Sequence, residues 1–286
     1  MAQKILVTCA GGRVGSELVK LLIQSEEMVR AAMRDPSSAS KKFSGQVETI
    51  MFDYDRPDTF APALEEIDKV FLMVRPGDNH SDKAAIPLVD EAKKKGIRHI
   101  VDLTALGVEK DEDFMLRKLE KYIEDSGIPF THLRPNWFMQ NFNSGPMYAD
   151  IQSTGALHLP SSDAKISFID VRDIAAAGFT ILKENGHMNK AYTLTGGESL
   201  DHFQAIEIIS EASKKKFSYI PLSDETARKS LAGAGVPADL IERWSDFYRR
   251  VRDGHCAAVS GDIASLLRRS PITFRQYAED FASSWN

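Results

Sequence analysis

The stretch Ile5-Leu6-Val7-Thr8-Cys9-Ala10-Gly11-Gly12-Arg13-Val14-Gly15 passes from a strand signal through a glycine-rich turn into a helix. Ile5-Leu6-Val7 is apolar without alternation, the pattern of a strand covered on both faces. From Val14 the apolar residues recur at Val14, Leu18, Leu21 and Leu22, a helical spacing. A turn of this kind after the first strand brings backbone N–H groups and a helix N-terminus onto a pyrophosphate. Gly12 would let the backbone approach the phosphates, and Gly15 would let the helix pack closely on the strand. A lone glycine cluster is equally an ordinary tight turn. Its place at the head of a strand–helix series favours the dinucleotide reading.

Outward from that turn, short apolar runs alternate with helix-length segments. Strands are expected at Val29 to Met33, Val47 to Phe52, Val70 to Val74, Ile100 to Leu103 and Phe130 to Leu133. Lys83 to Lys95 and Asp111 to Asp125 read as helices between them. The fold class that follows is α/β: a Rossmann, doubly wound parallel sheet with helices on both faces. From about residue 136 strand signals become sparse, at Ile166 to Ile169, Ala191 to Leu194 and Phe217 to Ile220. Helices are expected from Asp173 to Leu182, from Ser199 to about Ser213 and from Pro237 to Arg252. The division expected is a dinucleotide-binding domain over residues 1–155, with segments near 165–195 returning to it. A smaller, mostly helical substrate-binding lobe would cover 196–286.

The chain has 286 residues, 43% apolar and 27% charged, as in an ordinary soluble globular protein. With 36 Lys and Arg against 41 Asp and Glu, the net charge of −5 argues against nucleic acid as a partner. The two cysteines, Cys9 and Cys256, make no disulfide framework and point to a reducing, cytoplasmic compartment. The apolar run after Lys4 is too short for a signal peptide, and no stretch reaches the roughly eighteen apolar residues of a membrane span. The histidines show no His-x-x-x-His or Cys–His spacing, so no metal site is expected. The sequence leaves the oligomeric state open.

At the end of the second strand stands Ala32-Met33-Arg34, with no carboxylate before the arginine. An acidic residue there binds a ribose 2′-hydroxyl and an arginine accommodates a 2′-phosphate, so NADP is expected over NAD. A plain surface arginine is the alternative. Asp53 and Tyr54, closing the third strand, would lie beside the adenine. Two further blocks stand out: Ser126-Gly127-Ile128-Pro129-Phe130-Thr131-His132-Leu133-Arg134-Pro135-Asn136-Trp137-Phe138-Met139-Gln140-Asn141-Phe142, and Ile169-Asp170-Val171-Arg172-Asp173-Ile174-Ala175. Together with the N-terminal turn, Arg34 and Phe52-Asp53-Tyr54, they resemble the NmrA-like atypical short-chain dehydrogenases over nearly the whole chain.

The resemblance implies an NADP site that begins with Thr8, Ala10, Gly11, Gly12, Arg13 and Val14. Arg34, Asp53, Tyr54, Val74 and Arg75 would continue it. Thr104 and Pro135 would complete it at the nicotinamide. Substrate would sit between the segment from Pro135 to Phe138 and the C-terminal lobe. A planar small molecule is expected there, against Asn136, Trp137, Phe138, Phe114 and Tyr148. Trp244, Phe247 and Tyr248 are further aromatic candidates.

The sequence departs from the family pattern in two places. Cys9 stands at the first glycine of the turn, where a Cβ is expected to crowd the backbone toward negative φ. A reactive thiol at a helix N-terminus is one reading of Cys9; a buried, inert cysteine is preferred. The usual acid of these enzymes is a Tyr-x-x-x-Lys pair, and none of Tyr54, Tyr122, Tyr148, Tyr192, Tyr219, Tyr248 and Tyr277 has a lysine four residues on. Relatives often carry histidine or lysine at the position of Leu116, and Lys118 faces elsewhere on the helix.

Reducing a ketone needs a proton at oxygen, whereas hydride can add to a conjugated or cationic acceptor with little acid help. Thr104 and Asp102 are the catalytic candidates. They share a strand face, and a buried Asp102 with a raised pKa could donate a proton. The alternative is a carboxylate paired with Arg98 or a helix residue. The expected function is an NADPH-dependent oxidoreductase acting on a quinone, imine or dye type of acceptor. The alternatives are a non-catalytic NADP(H) sensor that binds a protein partner, and a decayed cofactor site, which rests on Cys9 alone.

Overall fold

The computed structural model describes residues 3–25, 27–38, 42–43, 47–75 and 80–286. The chain opens with β1 (Lys4–Val7), α1 (Arg13–Ile23), β2 (Met28–Met33) and β3 (Glu48–Met51). It continues with a short α2 (Phe60–Ala63), β4 (Lys69–Met73), α3 (Ser81–Lys94), β5 (His99–Leu103), α4 (Met115–Ser126) and β6 (Phe130–Pro135). Next come α5 (Pro146–Thr154), β7 (Ala156–Leu159), α6 (Val171–Lys183) and β8 (Lys190–Leu194). The remainder is α7 (His202–Ser213), β9 (Ser218–Pro221), α8 (Asp224–Gly233), α9 (Ala238–Arg252), α10 (Asp262–Leu267) and α11 (Phe274–Asp280).

Two compact units result. The first joins Met1–Pro135, Val171–Leu194 and Ser265–Arg268. Its seven strands run in the order β3-β2-β1-β4-β5-β6-β8, and every neighbouring pair is parallel. Register is fixed by pairs such as Leu6 with Val70 and Leu72 with Asp102. The helical spacing of Val14, Leu18 and Leu22 buries one stripe of α1. Leu88, Val89, Leu119 and Ile123 of α3 and α4 bury theirs in a core with Leu6, Val70 and Leu72. A parallel sheet with helices packed around it is what the unalternating strands predicted.

The second unit joins Asn136–Asp170, Thr195–Ala264 and Arg269–Asn286. Its core gathers Phe142, Phe168, Ile206, Val251, Phe274 and Trp285. Helices dominate it, with β7 and β9 forming a small parallel pair. Among the described residues, no helix is long and apolar enough to cross a membrane.

Several boundaries differ from those expected. The chain leaves the first unit after Pro135, not at residue 155, because Phe142 and Ile151 enter the second core. Ile166 to Ile169 forms no strand: Ile169 bridges Phe138 while Ile166 bridges Leu200, so no continuous ladder develops. The helix expected from Ser199 starts at His202, because Asp201 and Gln204 form a reciprocal capping box. The helix expected from Asp111 starts at Met115, after a 3₁₀ turn at Val108–Lys110. β7 carries too short an apolar signal to stand out in the sequence.

Candidate functional site

The strand order reverses between β1 and β4, and ligands of open α/β sheets collect at the carboxyl ends of strands at such a point. The turn after β1 lies there. Thr8 ties β1 to β4: its Oγ1 donates to the Met73 carbonyl at 2.9 Å and accepts from the Met73 amide at 2.7 Å. The Ala10 amide donates to Ala32 at 3.2 Å and the Gly12 amide to Cys9 at 2.8 Å. Helix α1 begins after Gly12 without a side-chain cap among the described residues, so its first N–H groups suit an anion. A Cβ on Gly15 would meet the Cys9 carbonyl at 2.5 Å and the Ala10 Cα at 2.9 Å, so only glycine permits this helix–turn contact.

Cys9 does not push the backbone to negative φ. It takes φ +48°, the left-handed conformation that a glycine adopts at no steric cost. The expectation fails because the turn's hydrogen bonds fix the backbone and the small side chain tolerates it. Burial pushes the thiol up to about 11, against the pull of Arg34 and Arg75, so it is neutral at physiological pH. Its Sγ lies 3.3 Å from the Met73 carbonyl.

Around the turn, Arg34 is exposed immediately after β2, whereas Ala10 and Val14 are buried and Arg13 is exposed. Asp53 is half-buried and accepts from the Asp55 amide at 3.1 Å. Tyr54 is a core residue, 6% exposed, with its ring edge-on to Phe52 and its hydroxyl donating to Met73 at 2.8 Å. That burial places its ring in the core of the first unit, where it was expected beside an adenine. Val74 is half-buried, and Arg75 grips Asp55 through two bonds of 2.6 and 2.8 Å. Sequence reasoning missed Lys42, whose ammonium donates to the Gly11 carbonyl; nothing in its local pattern sets it apart from a surface lysine.

Further along the sheet, Thr104 follows β5 and is 8% exposed. Its hydroxyl donates to Glu120 Oε1 at 2.8 Å. Arg134 of β6 clasps the same carboxylate, Nε to Oε1 at 3.0 Å and Nη2 to Oε2 at 2.8 Å, and Arg117 adds Nη1 to Oε2 at 3.0 Å. Burial works to raise the Glu120 pKa, but Arg134, His132 and the Thr104 hydroxyl outweigh it and leave it below the usual range. Asp102 is fully buried and binds His132 Nδ1 at 2.6 Å; His132 Nε2 lies 3.2 Å from Glu124. With carboxylates on both nitrogens, the imidazole is best satisfied as the cation. Burial opposes that charge, yet the Asp102 carboxylate prevails and raises its pKa.

Burial raises the Asp102 pKa, as expected, but Arg98 pairs instead with Asp68 at 2.5 Å, and Asp102 meets His132 in place of the partner expected for it. It is an anchor for His132. Asp102, Glu120 and His132 bring ligand-type atoms within 4.8 Å of one another, but both Glu120 oxygens already accept guanidinium donors. The partners Arg117, Glu120, Glu124, His132 and Arg134 were missed. The spacing of Arg117, Glu120 and Glu124 was their one visible sign, since it places them on one face of α4.

The remaining candidates divide between the units. In the first, Phe114 is exposed at the head of α4, and the Pro135 carbonyl accepts from the Leu106 amide at 2.9 Å. In the second, Asn136 is buried. Its Nδ2 donates to Ser167 Oγ and to the Cys256 carbonyl, both at 2.8 Å, and its Oδ1 accepts from the Trp137 amide. Both donors are thereby occupied, which makes it a brace for the loop instead of the substrate contact expected. Trp137 stacks on Phe247 with centroids 5.2 Å apart and planes 10° from parallel, and meets Tyr248 edge-on. Trp244 and Phe247 are exposed. Phe138 is half-buried beside Ile169, and Tyr148 donates to the Ser284 carbonyl at 2.9 Å.

A profile described as the NmrA-like family matches residues 1–253. The chain belongs to the NmrA-like family. Among relatives, the NAD(P)H azoreductase of Xenophilus azovorans is 30% identical, covering 98% of this chain and 99% of its own length. The triphenylmethane reductase of Citrobacter sp. is 25% identical with a TM-score of 0.83, over 98% of this chain and 99% of that one. The negative transcriptional regulator NmrA, solved with NADP, has a TM-score of 0.79 over 99% of this chain and 96% of that one. At 16% identity it shares the NmrA-like fold alone.

Proposed function

We propose that this NmrA-like protein is an oxidoreductase that uses NADPH to reduce a small, planar, conjugated or cationic acceptor. The observation that carries the reading is the turn after β1: an uncapped helix N-terminus, a close approach that only Gly15 permits, and Arg34 at the end of β2 with no carboxylate before it. Bound there, the dinucleotide supplies a hydride. The N-terminus of α1 would hold the pyrophosphate and Arg34 would meet the 2′-phosphate. Thr104 stands at the end of β5 toward the nicotinamide end. Asp102 is buried against His132 and serves the scaffold. The relatives named as an azoreductase and a triphenylmethane reductase support conjugated acceptors as the substrate class.

The test is NADPH oxidation by the purified full chain in the presence of azo dyes, triphenylmethane dyes, quinones and iminium compounds. Turnover with at least one class is expected. Saturable NADPH binding with no oxidation by any of them would overturn the reductase reading and leave a dinucleotide sensor.

A further inference from the structure

The Thr104 hydroxyl is fixed in direction as well as in place. Glu120 is fully buried and receives four donors: Thr104 Oγ1 and Arg134 Nε on one oxygen, Arg134 Nη2 and Arg117 Nη1 on the other. A carboxylate held by two guanidinium groups carries no proton and can only accept. The other group near the Thr104 hydroxyl, the Leu133 carbonyl at 3.4 Å, is also an acceptor. The single proton of Thr104 is therefore committed to Glu120, and its lone pairs are what remain for a ligand.

We propose that Glu120 is a positioning residue that makes Thr104 an acceptor-only group, receiving an N–H or O–H from the nicotinamide end of the dinucleotide. This rests on the function proposed above and narrows its substrate class. Thr104 cannot protonate an acceptor during reduction. The favoured substrates are then those whose reacting carbon takes hydride without a simultaneous proton. Hydride with its electron pair adds to a cationic carbon, as in an iminium or triarylmethyl cation. The new C–H bond neutralises that charge, the C–H bond of the dihydronicotinamide breaks, and the oxidised nicotinamide carries the positive charge. Atoms and charge balance with no proton from the protein.

The test compares dissociation constants, read from nicotinamide fluorescence, for NADPH and for its reduced 3-acetylpyridine analogue, which lacks the carboxamide N–H. Wild type, Thr104→Val, Thr104→Ser and Glu120→Gln are titrated. If the donor is the carboxamide, wild type and Thr104→Ser prefer NADPH by about tenfold, roughly one hydrogen bond, and Thr104→Val binds both alike. If the donor is the nicotinamide ribose, Thr104→Val weakens both by about tenfold. Either result supports the inference. Glu120→Gln puts a donating amide in the cluster and frees the Thr104 proton, so wild-type selectivity or affinity shifts in it; a fully folded Glu120→Gln that binds like wild type overturns the role of Glu120. Should that variant not fold, the threonine pair decides alone. Unchanged binding in Thr104→Val overturns the inference while leaving the proposed function intact. So does a wild-type solvent isotope effect on turnover that Thr104→Val abolishes, which would make Thr104 a proton donor. Wild type that binds neither dinucleotide overturns both.

Discussion

The turn after β1 and the cluster behind Thr104 both stand at carboxyl ends of strands in one sheet, yet they are made of different material. The turn is backbone: its shape comes from main-chain bonds of Ala10 and Gly12, the space at Gly15 and the left-handed Cys9. The cluster is side chains: Asp102 and Thr104 from and after β5, Glu120 and Arg117 from α4, and His132 and Arg134 from β6. A backbone site tolerates any residue that fits its dihedrals and its space. A buried ionic site tolerates almost no loss of a partner, because each charge it holds would be left uncompensated.

That contrast ranks the substitutions. Glu120→Ala strips Arg134 of its bidentate partner, while Arg117 keeps Glu124 at 2.6 Å, and should cost about 3–5 kcal/mol in denaturant unfolding; a loss under about 1 kcal/mol would show the cluster to be solvated. The sign with pH follows from the lowered Glu120 pKa. Its stabilisation is present above the usual carboxylate value of about 4.3 and is lost as pH falls below it through the lower folded value. Gly15→Val drives a branched side chain into the Cys9 carbonyl and should cost about 1–3 kcal/mol while abolishing dinucleotide binding. Normal binding in that variant would break the backbone account of the turn.

Arg34→Ala should weaken NADPH at least tenfold, about 1.5 kcal/mol or more for a charge-assisted bond, and leave NADH unchanged. Equal losses for both would remove the 2′-phosphate assignment. Cys9→Gly carries the smallest effect. Relief of a left-handed conformation, about 1–2 kcal/mol, is offset by the 0.5–1 kcal/mol entropic cost of glycine. A gain of up to about 1.5 kcal/mol in stability and slightly tighter dinucleotide binding are expected. Weaker binding would show that the thiol is a working part of the turn.

The same contrast explains what the sequence revealed. Strand runs, the turn and Arg34 are contiguous signals, each decided by a few neighbouring residues, so the sheet and its glycine turn were legible. The cluster was not, because Thr104, Glu120 and Arg134 meet only once α4 packs beside β5 and β6. Asn136 misled for the same reason: its segment marks a strand end, but its amide partners, Ser167 and Cys256, lie far along the chain. Tyr54 was expected beside the adenine from its place at the end of the third strand, and only Phe52, Phe60 and the Met73 carbonyl reveal it as core.

The central claim is that the turn and Arg34 form a site for a phosphorylated dinucleotide. Parallel titration of the wild-type protein with NADPH and NADH, followed by nicotinamide fluorescence, tests it most directly. Saturable binding of NADPH, at least tenfold tighter than NADH, is the predicted result. Binding of neither would mean that Cys9 marks a lost site, and equal binding of both would mean that Arg34 does not read the 2′-phosphate.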